Sequence, residues 1–282
     1  MIYLLLSIAS STAIFVLFKL FKTYTINTLH AIVFNYLTAA LCGVLFSEQN
    51  IDVITIINSS WIYAAIILGF LFISIFNIMA LTAQKNGLSA VSVSSKMSVI
   101  IPVLFGIIVY NESVGFLKIF GIVLALTAVL LTSIKPKDNT ALNPYIYLPI
   151  ILFLGSGIID TSVNHFAPQG NIPLFLTLIF SVAGTLGIVL SIFNAIINKT
   201  GFKSKAIPFG IALGVVNYGS MYFLLKALRV NGFESSTIFT INNVAIVAAS
   251  CLIGLLLFKE RITKQNWIGI ITAVTSIVLV TL

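Results

Sequence analysis

Long apolar runs fix what this 282-residue chain can fold into. A helix needs about 20 apolar residues to cross the hydrocarbon core of a bilayer. Such runs recur at 2–18, 29–46, 61–83, 88–110, 115–133, 145–164, 172–197, 207–228, 236–258 and 267–282, ten in all. At that length they take about 200 residues and leave about 80 for nine loops, too few for a soluble catalytic domain. None shows strand alternation, and hydrocarbon admits only helices or closed barrels. The expected fold is therefore an all-α integral membrane protein with ten transmembrane helices. Charge agrees: 8% of the residues are charged, against about 25% in a soluble domain. With a mean hydropathy of +1.14, a water-soluble enzyme is excluded. The net charge of +8 lies singly and in pairs between the runs. That pattern suits short membrane loops, not a nucleic-acid face. The first run has no basic segment before it and no cleavage site after it, so it reads as a retained helix.

The two halves of the chain resemble each other. Asn86-Gly87 precedes the fourth run and Asn231-Gly232 the ninth; Asn111-Glu112-Ser113 follows the fourth and Lys259-Glu260-Arg261 the ninth. Beyond these acidic turns, Gly121, Ala125 and Thr127 align with Gly269, Ala273 and Thr275, while Gly69 aligns with Gly214. Between the halves lies the most polar stretch, Lys135 to Pro144. The expectation is a five-plus-five duplication, with one repeat over 1–135 and the other over 143–282. An odd number of helices per repeat inverts the second copy in the membrane. Inverted repeats are the architecture of alternating-access transporters, with the substrate near the midplane.

On these features the sequence resembles the drug/metabolite transporter superfamily, in its ten-helix EamA-like branch. The acidic turns carry the resemblance, and Lys259-Glu260-Arg261 is the nearer to that family's Gly-Glu-Arg. The resemblance implies an inner-membrane carrier of small metabolites, amino acids or drugs. It also implies a cavity lined by helices 1, 3, 4, 6, 8 and 9, with 5 and 10 at the back, and both termini in the cytoplasm. Loop charge says otherwise about orientation. Odd-numbered loops hold eleven basic residues from Lys19 to Lys264, and even-numbered loops hold Lys118, Lys226 and Arg229. Positive residues favour the cytoplasm, so the charge count places both termini outside.

Two charges fall deep inside the runs, away from their ends. Each costs about 2.5–3.5 kcal/mol at the centre of a helix, so it faces the bundle and carries a functional hypothesis. Lys96 lies among Ser92, Ser94, Ser95 and Ser98, and Pro102 cannot donate to the Ser98 carbonyl, which predicts a kink beside the lysine. It could hold an anionic substrate group or exchange with a proton; the bland alternatives are a structural ion pair or a snorkelling side chain. Asp160 forms a stripe with Ser156 and Asn164. It could exchange a proton during transport or merely fix helix packing. In ideal helices Lys96 and Asp160 differ by roughly 12 Å in depth, which predicts separate contacts in one cavity. Further candidates for the wall are Asn77, Asn217, Tyr218, Tyr222, Thr240, Asn242 and Asn243, each also explicable as helix-packing glue. Gly210-x-x-x-Gly214 and Ser181-x-x-x-Thr185 read as close-packing motifs. His165 reads as interfacial rather than as a proton relay, and His30 is a weaker candidate for a relay still; neither they nor Cys42 and Cys251 have metal-ligand spacing. No P-loop, dinucleotide fingerprint or nucleophile elbow occurs, so no cofactor is expected.

The expected function is secondary active transport, as an exporter or exchanger in the plasma (inner) membrane. The substrate would be a small metabolite such as an amino acid or a carboxylate-bearing compound, with a proton as a possible coupling ion. Beyond substrate, proton and bilayer no partner is implied, and the unit is a monomer or homodimer. The alternatives are a broad multidrug exporter, a lipid-modifying membrane enzyme using Asp160 and His165, and a membrane scaffold.

Overall fold

The computed structural model describes residues 2–47, 59–110, 115–133, 145–166, 172–198, 201, 203–228, 235–260 and 263–281. Among them there is no strand. The apolar runs form α1 (Ile2–Thr23), α2 (Thr28–Leu45), α3 (Ile62–Lys85), α4 (Leu88–Met97), α5 (Ile100–Tyr110), α6 (Phe116–Ser133), α7 (Tyr147–Phe166), α8 (Ile172–Asn198), α9 (Ala206–Leu228), α10 (Ser235–Leu256) and α11 (Lys264–Thr281). Five are long and apolar enough to cross a membrane: α1, α2, α3, α8 over Ile172–Ile197, and α9 over Ala206–Ala227. Shorter apolar stretches occur at Leu88–Pro102, Ile119–Thr132, Tyr147–Val163 and Ile241–Leu256. A multi-pass membrane protein fits this set. Large apolar side chains are exposed on many helices, among them Phe70, Val123, Phe193 and Ile271, as a lipid-facing surface requires.

Local chemistry sets the helix ends. The Asn27 side chain accepts the backbone N–H of His30 at 3.0 Å and starts α2. Between α3 and α4 the chain reverses at Gly87, whose φ of +98° suits glycine. The fourth run is split. Pro102 has no N–H for the Ser98 carbonyl, and the Ile101 N–H takes that carbonyl instead, at 2.9 Å. The Ser98 hydroxyl meanwhile donates to the Ser95 carbonyl at 2.6 Å. Helix α4 ends there and α5 begins two residues later. The predicted kink is thus a full break.

Helix contacts follow a pattern. Helix α2 packs on α8 and α9, and α8 packs on α2 and α3; α1 packs on α9 and α10, and α7 on α3 and α4. Exchanging each helix for the one five runs later turns the first set into the second. The pairs α2–α8, α4–α10 and α6–α11 map onto themselves. Small residues make the close approaches, as expected where lipid removes the hydrophobic drive and van der Waals fit decides. Gly69 on α3 faces Val182 and Ile179 of α8, while Gly214 on α9 faces Asn35 and Thr38 of α2. Gly210 also abuts α2, at Ala31 and Phe34. The Ser181-x-x-x-Thr185 expectation fails, because Thr185 is exposed and its hydroxyl donates to the Ser181 carbonyl of its own helix. The main core joins Phe18, Tyr36, Phe72, Phe76, Phe175 and Phe180 from α1, α2, α3 and α8. Within it the Tyr36 hydroxyl donates to the Phe72 carbonyl at 2.7 Å.

Candidate functional site: a cavity at mid-bundle

A cavity of about 130 Å³ lies between α1, α3, α4, α7 and α9. Each long helix contributes residues from near its middle: Ser11 and Phe15 on α1, Phe72 and Phe76 on α3, Ser156 and Asp160 on α7, Asn217 and Ser220 on α9. With a rise of 1.5 Å per residue, that places the cavity near half depth in the bundle. Helix α4 brings Ser95 and Lys96 to the wall from the last turn before the chain break. The lining is mostly apolar, with Ile14, Ile75, Met79, Ile159 and Met221 between the polar groups.

Lys96 and Asp160 share this cavity. Both lie in its wall, Lys96 from α4 and Asp160 from α7. The two residues line one cavity as separate contacts, as the depth argument from ideal helices expects. Among the described residues the ion pair within 4.0 Å is Lys19–Glu260. Lys96 and Asp160 thus face the same space without closing on each other. Lys96 also sits at the negative end of the α4 dipole, which favours a cation there.

Other predicted wall residues are distributed differently. Asn217 lines the cavity and donates through Nδ2 to Asn35 Oδ1 at 3.1 Å, while Ser95 lines it directly. Ser92 is buried away from it, its hydroxyl donating to the Ser89 carbonyl. Asn77 donates to the Ile73 carbonyl of its own helix at 2.8 Å. Asn242 is buried and accepts the Ser7 hydroxyl at 3.1 Å; Asn243 is buried on the same helix, α10, none of whose described side chains lines the cavity. Tyr218 and Tyr222 do not reach the cavity. They stack on each other at 5.7 Å and on Phe46, and Lys226 lies over the Tyr222 ring. The side chains of Asn164, Ser236 and Thr240 lie outside the described set, as do Glu112, Arg229 and Arg261. His165 packs edge-on to Phe105, and His30 accepts the Lys203 backbone N–H through Nδ1. Sequence reasoning missed Ser11 and Ser220. Ser11 belongs to a small polar cluster on α1 with Ser7, Ser10 and Thr12, a signal that was available, whereas Ser220 is the one serine of α9.

An all-helical bundle, compatible with multiple membrane passes and built round a mid-bundle cavity whose mostly apolar wall carries Lys96 and Asp160, is the class these observations define. The chain is 30% identical to an uncharacterized protein of Haemophilus influenzae, over 97% of this chain and 95% of that protein, and belongs to the same family. No family model matches. A solved crystal structure of a protein has the same fold, with a TM-score of 0.57 over 97% of this chain and 96% of that one at 13% identity.

Proposed function

We propose that the protein is a secondary active transporter of a small metabolite bearing an anionic group, such as an amino acid or other carboxylate. The observation that carries this reading is the mid-bundle cavity in which Lys96 and Asp160 face the same space unpaired, beside a broken helix. Broken helices at mid-depth are where transporters expose backbone and charge to substrate. Lys96 would engage the anionic group, and Asp160 would carry a proton or bind an amine. The symmetry of helix contacts supports ten spans in two inverted repeats, 1–135 and 143–282, that rock about the cavity. The basic odd-numbered loops favour an orientation in the inner membrane with both termini outside.

The test is flux of carboxylate-bearing metabolites, amino acids first, into proteoliposomes with and without a pH gradient. Lys96→Ala should abolish flux while the protein still purifies as a folded monomer or dimer. Full flux in that variant would sink the mechanism. The phenylalanines and methionines of the wall favour a second reading, a multidrug exporter. Competition by apolar cations, with none by amino acids, would select it.

A further inference from the structure

At the end of the bundle where α1 and α3 finish and α4 begins, one carboxylate joins three elements. Glu260 lies in the turn after α10. Its oxygens accept the Leu88 backbone N–H at 3.0 and 3.2 Å, at the first residue of α4, and pair with Lys19 Nζ on α1 at 2.5 Å. The turn is fixed by the Glu260 N–H donating to the Gly254 carbonyl at 2.9 Å. Space for the carboxylate comes from Gly87 and Gly254, where any Cβ would sit within 3.0 Å of its oxygens. Both charged side chains are largely buried, with 16% and 14% of their surface exposed. The anion therefore meets the positive end of the α4 dipole and a cation at once. The same helix, ten residues long, ends on Lys96 at the cavity.

We infer that Glu260 is a latch. It ties the turn after α10 to α1 and to the start of α4, holds this end of the bundle shut, and fixes the rigid half-helix that carries Lys96. The inference rests on the transport reading: the latch would open when the cavity turns to this side. It is a three-way device rather than a simple ion pair, because the carboxylate serves a helix N-terminus as well as Lys19. Charge reversal tests that distinction. In Lys19→Glu/Glu260→Lys the pair is restored with opposite signs, but an ammonium then faces the N-terminus of α4.

The experiment places a reporter thiol in the cavity as Ser95→Cys and labels it with a membrane-impermeant thiol reagent. Vesicles of both orientations are compared, and the same chain without Ser95→Cys supplies the background from Cys42 and Cys251. The expected result is slow labelling from the Glu260 side, made on the order of tenfold faster by Glu260→Gln. Lys19→Met, which leaves the carboxylate on α4, should give a smaller rise. The reversed pair should label as fast as Glu260→Gln. Unchanged rates in Glu260→Gln, or parent-like rates in the reversed pair, would overturn the latch. Labelling from neither side in any variant, with normal labelling in detergent, would overturn the transport reading itself. Melting of each variant in detergent identifies any that misfold; Lys19→Met then decides, because it leaves the α4 cap intact, and parent-like labelling in it overturns the latch.

Discussion

Replacing Gly87 with alanine probes the backbone on which the Glu260 contact depends. Gly87 has φ +98° and ψ 173°, a region open to glycine almost alone. Holding another residue there costs about 1–3 kcal/mol. A methyl group would also sit 2.9 Å from both Glu260 oxygens, so the carboxylate must move. Its bonds from Leu88 and Lys19 then weaken; hydrogen bonds to a charged group contribute about 1.5–3 kcal/mol each, and a partial shift loses a fraction of that. The combined loss is roughly 2–4 kcal/mol. Gly254→Ala is the matched control. Its Cβ would lie 3.0 Å from one Glu260 oxygen, but the backbone is helical, where alanine gains about 1 kcal/mol over glycine. Crowding and propensity oppose each other, so this variant should stay within about 1 kcal/mol of the parent. Denaturant unfolding in mixed micelles compares the three proteins. Equal stability of Gly87→Ala and the parent, or equal losses in both variants, would refute the conformational argument.

Other perturbations separate packing from transport. Asn217→Ala leaves Asn35 Oδ1 without its donor in a buried setting and should cost about 1–3 kcal/mol; Asn35→Ala added to it should cost less than the sum, and additivity in the double-mutant cycle would show that the two do not interact. Pro102→Ala restores an N–H that can reach the Ser98 carbonyl and join α4 to α5. Because Pro102 lies in the first turn of α5, where proline is tolerated, melting should change little while flux falls; unaltered flux would detach the break from transport. A fusion at Leu282 to a reporter active only in the cytoplasm should be silent, and a strong signal there would reverse the orientation read from loop charge.

The helices were legible because apolar runs of membrane length have few alternative folds. Five of the helices satisfy that length and hydropathy as they stand. The fourth run does not, since Pro102 and the hydroxyl of Ser98 divide it. Pro102 gave the place of the break, but not that the helix would stop and restart there. Lys96 and Asp160 stand out in sequence because charge is rare inside apolar runs. Polar residues without charge gave weaker guidance. Asn77 satisfies itself on its own helix, Asn242 serves Ser7, and Tyr218 and Tyr222 stack against Phe46. From sequence, each of these looks like Asn217, which does reach the cavity. Glu260 was visible as part of a motif. Its partner at Leu88 is 172 positions away, so the contact could not be read from spacing.

The balance of charge around α4 bears on why a lysine is tolerated at mid-bundle. A cation at the centre of a membrane helix costs about 2.5–3.5 kcal/mol. The C-terminal end of a helix dipole returns about 0.3–1 kcal/mol at exposed sites and up to about 2 in a partly buried one. For α4 that favourable end exists because the helix stops at Met97, directly after Lys96. In α10, which runs unbroken from Ser235 to Leu256, the place that the proposed repeat would pair with Lys96 holds Asn242 and Asn243 and offers no helix terminus. The break therefore does more than shape the wall: it supplies part of the stabilisation that lets the cation remain. The dipole alone does not cover the cost, and Asp160 lines the same cavity without pairing with Lys96. What remains is a cation with unused capacity facing a cavity, the condition under which an anionic group of a substrate binds most favourably.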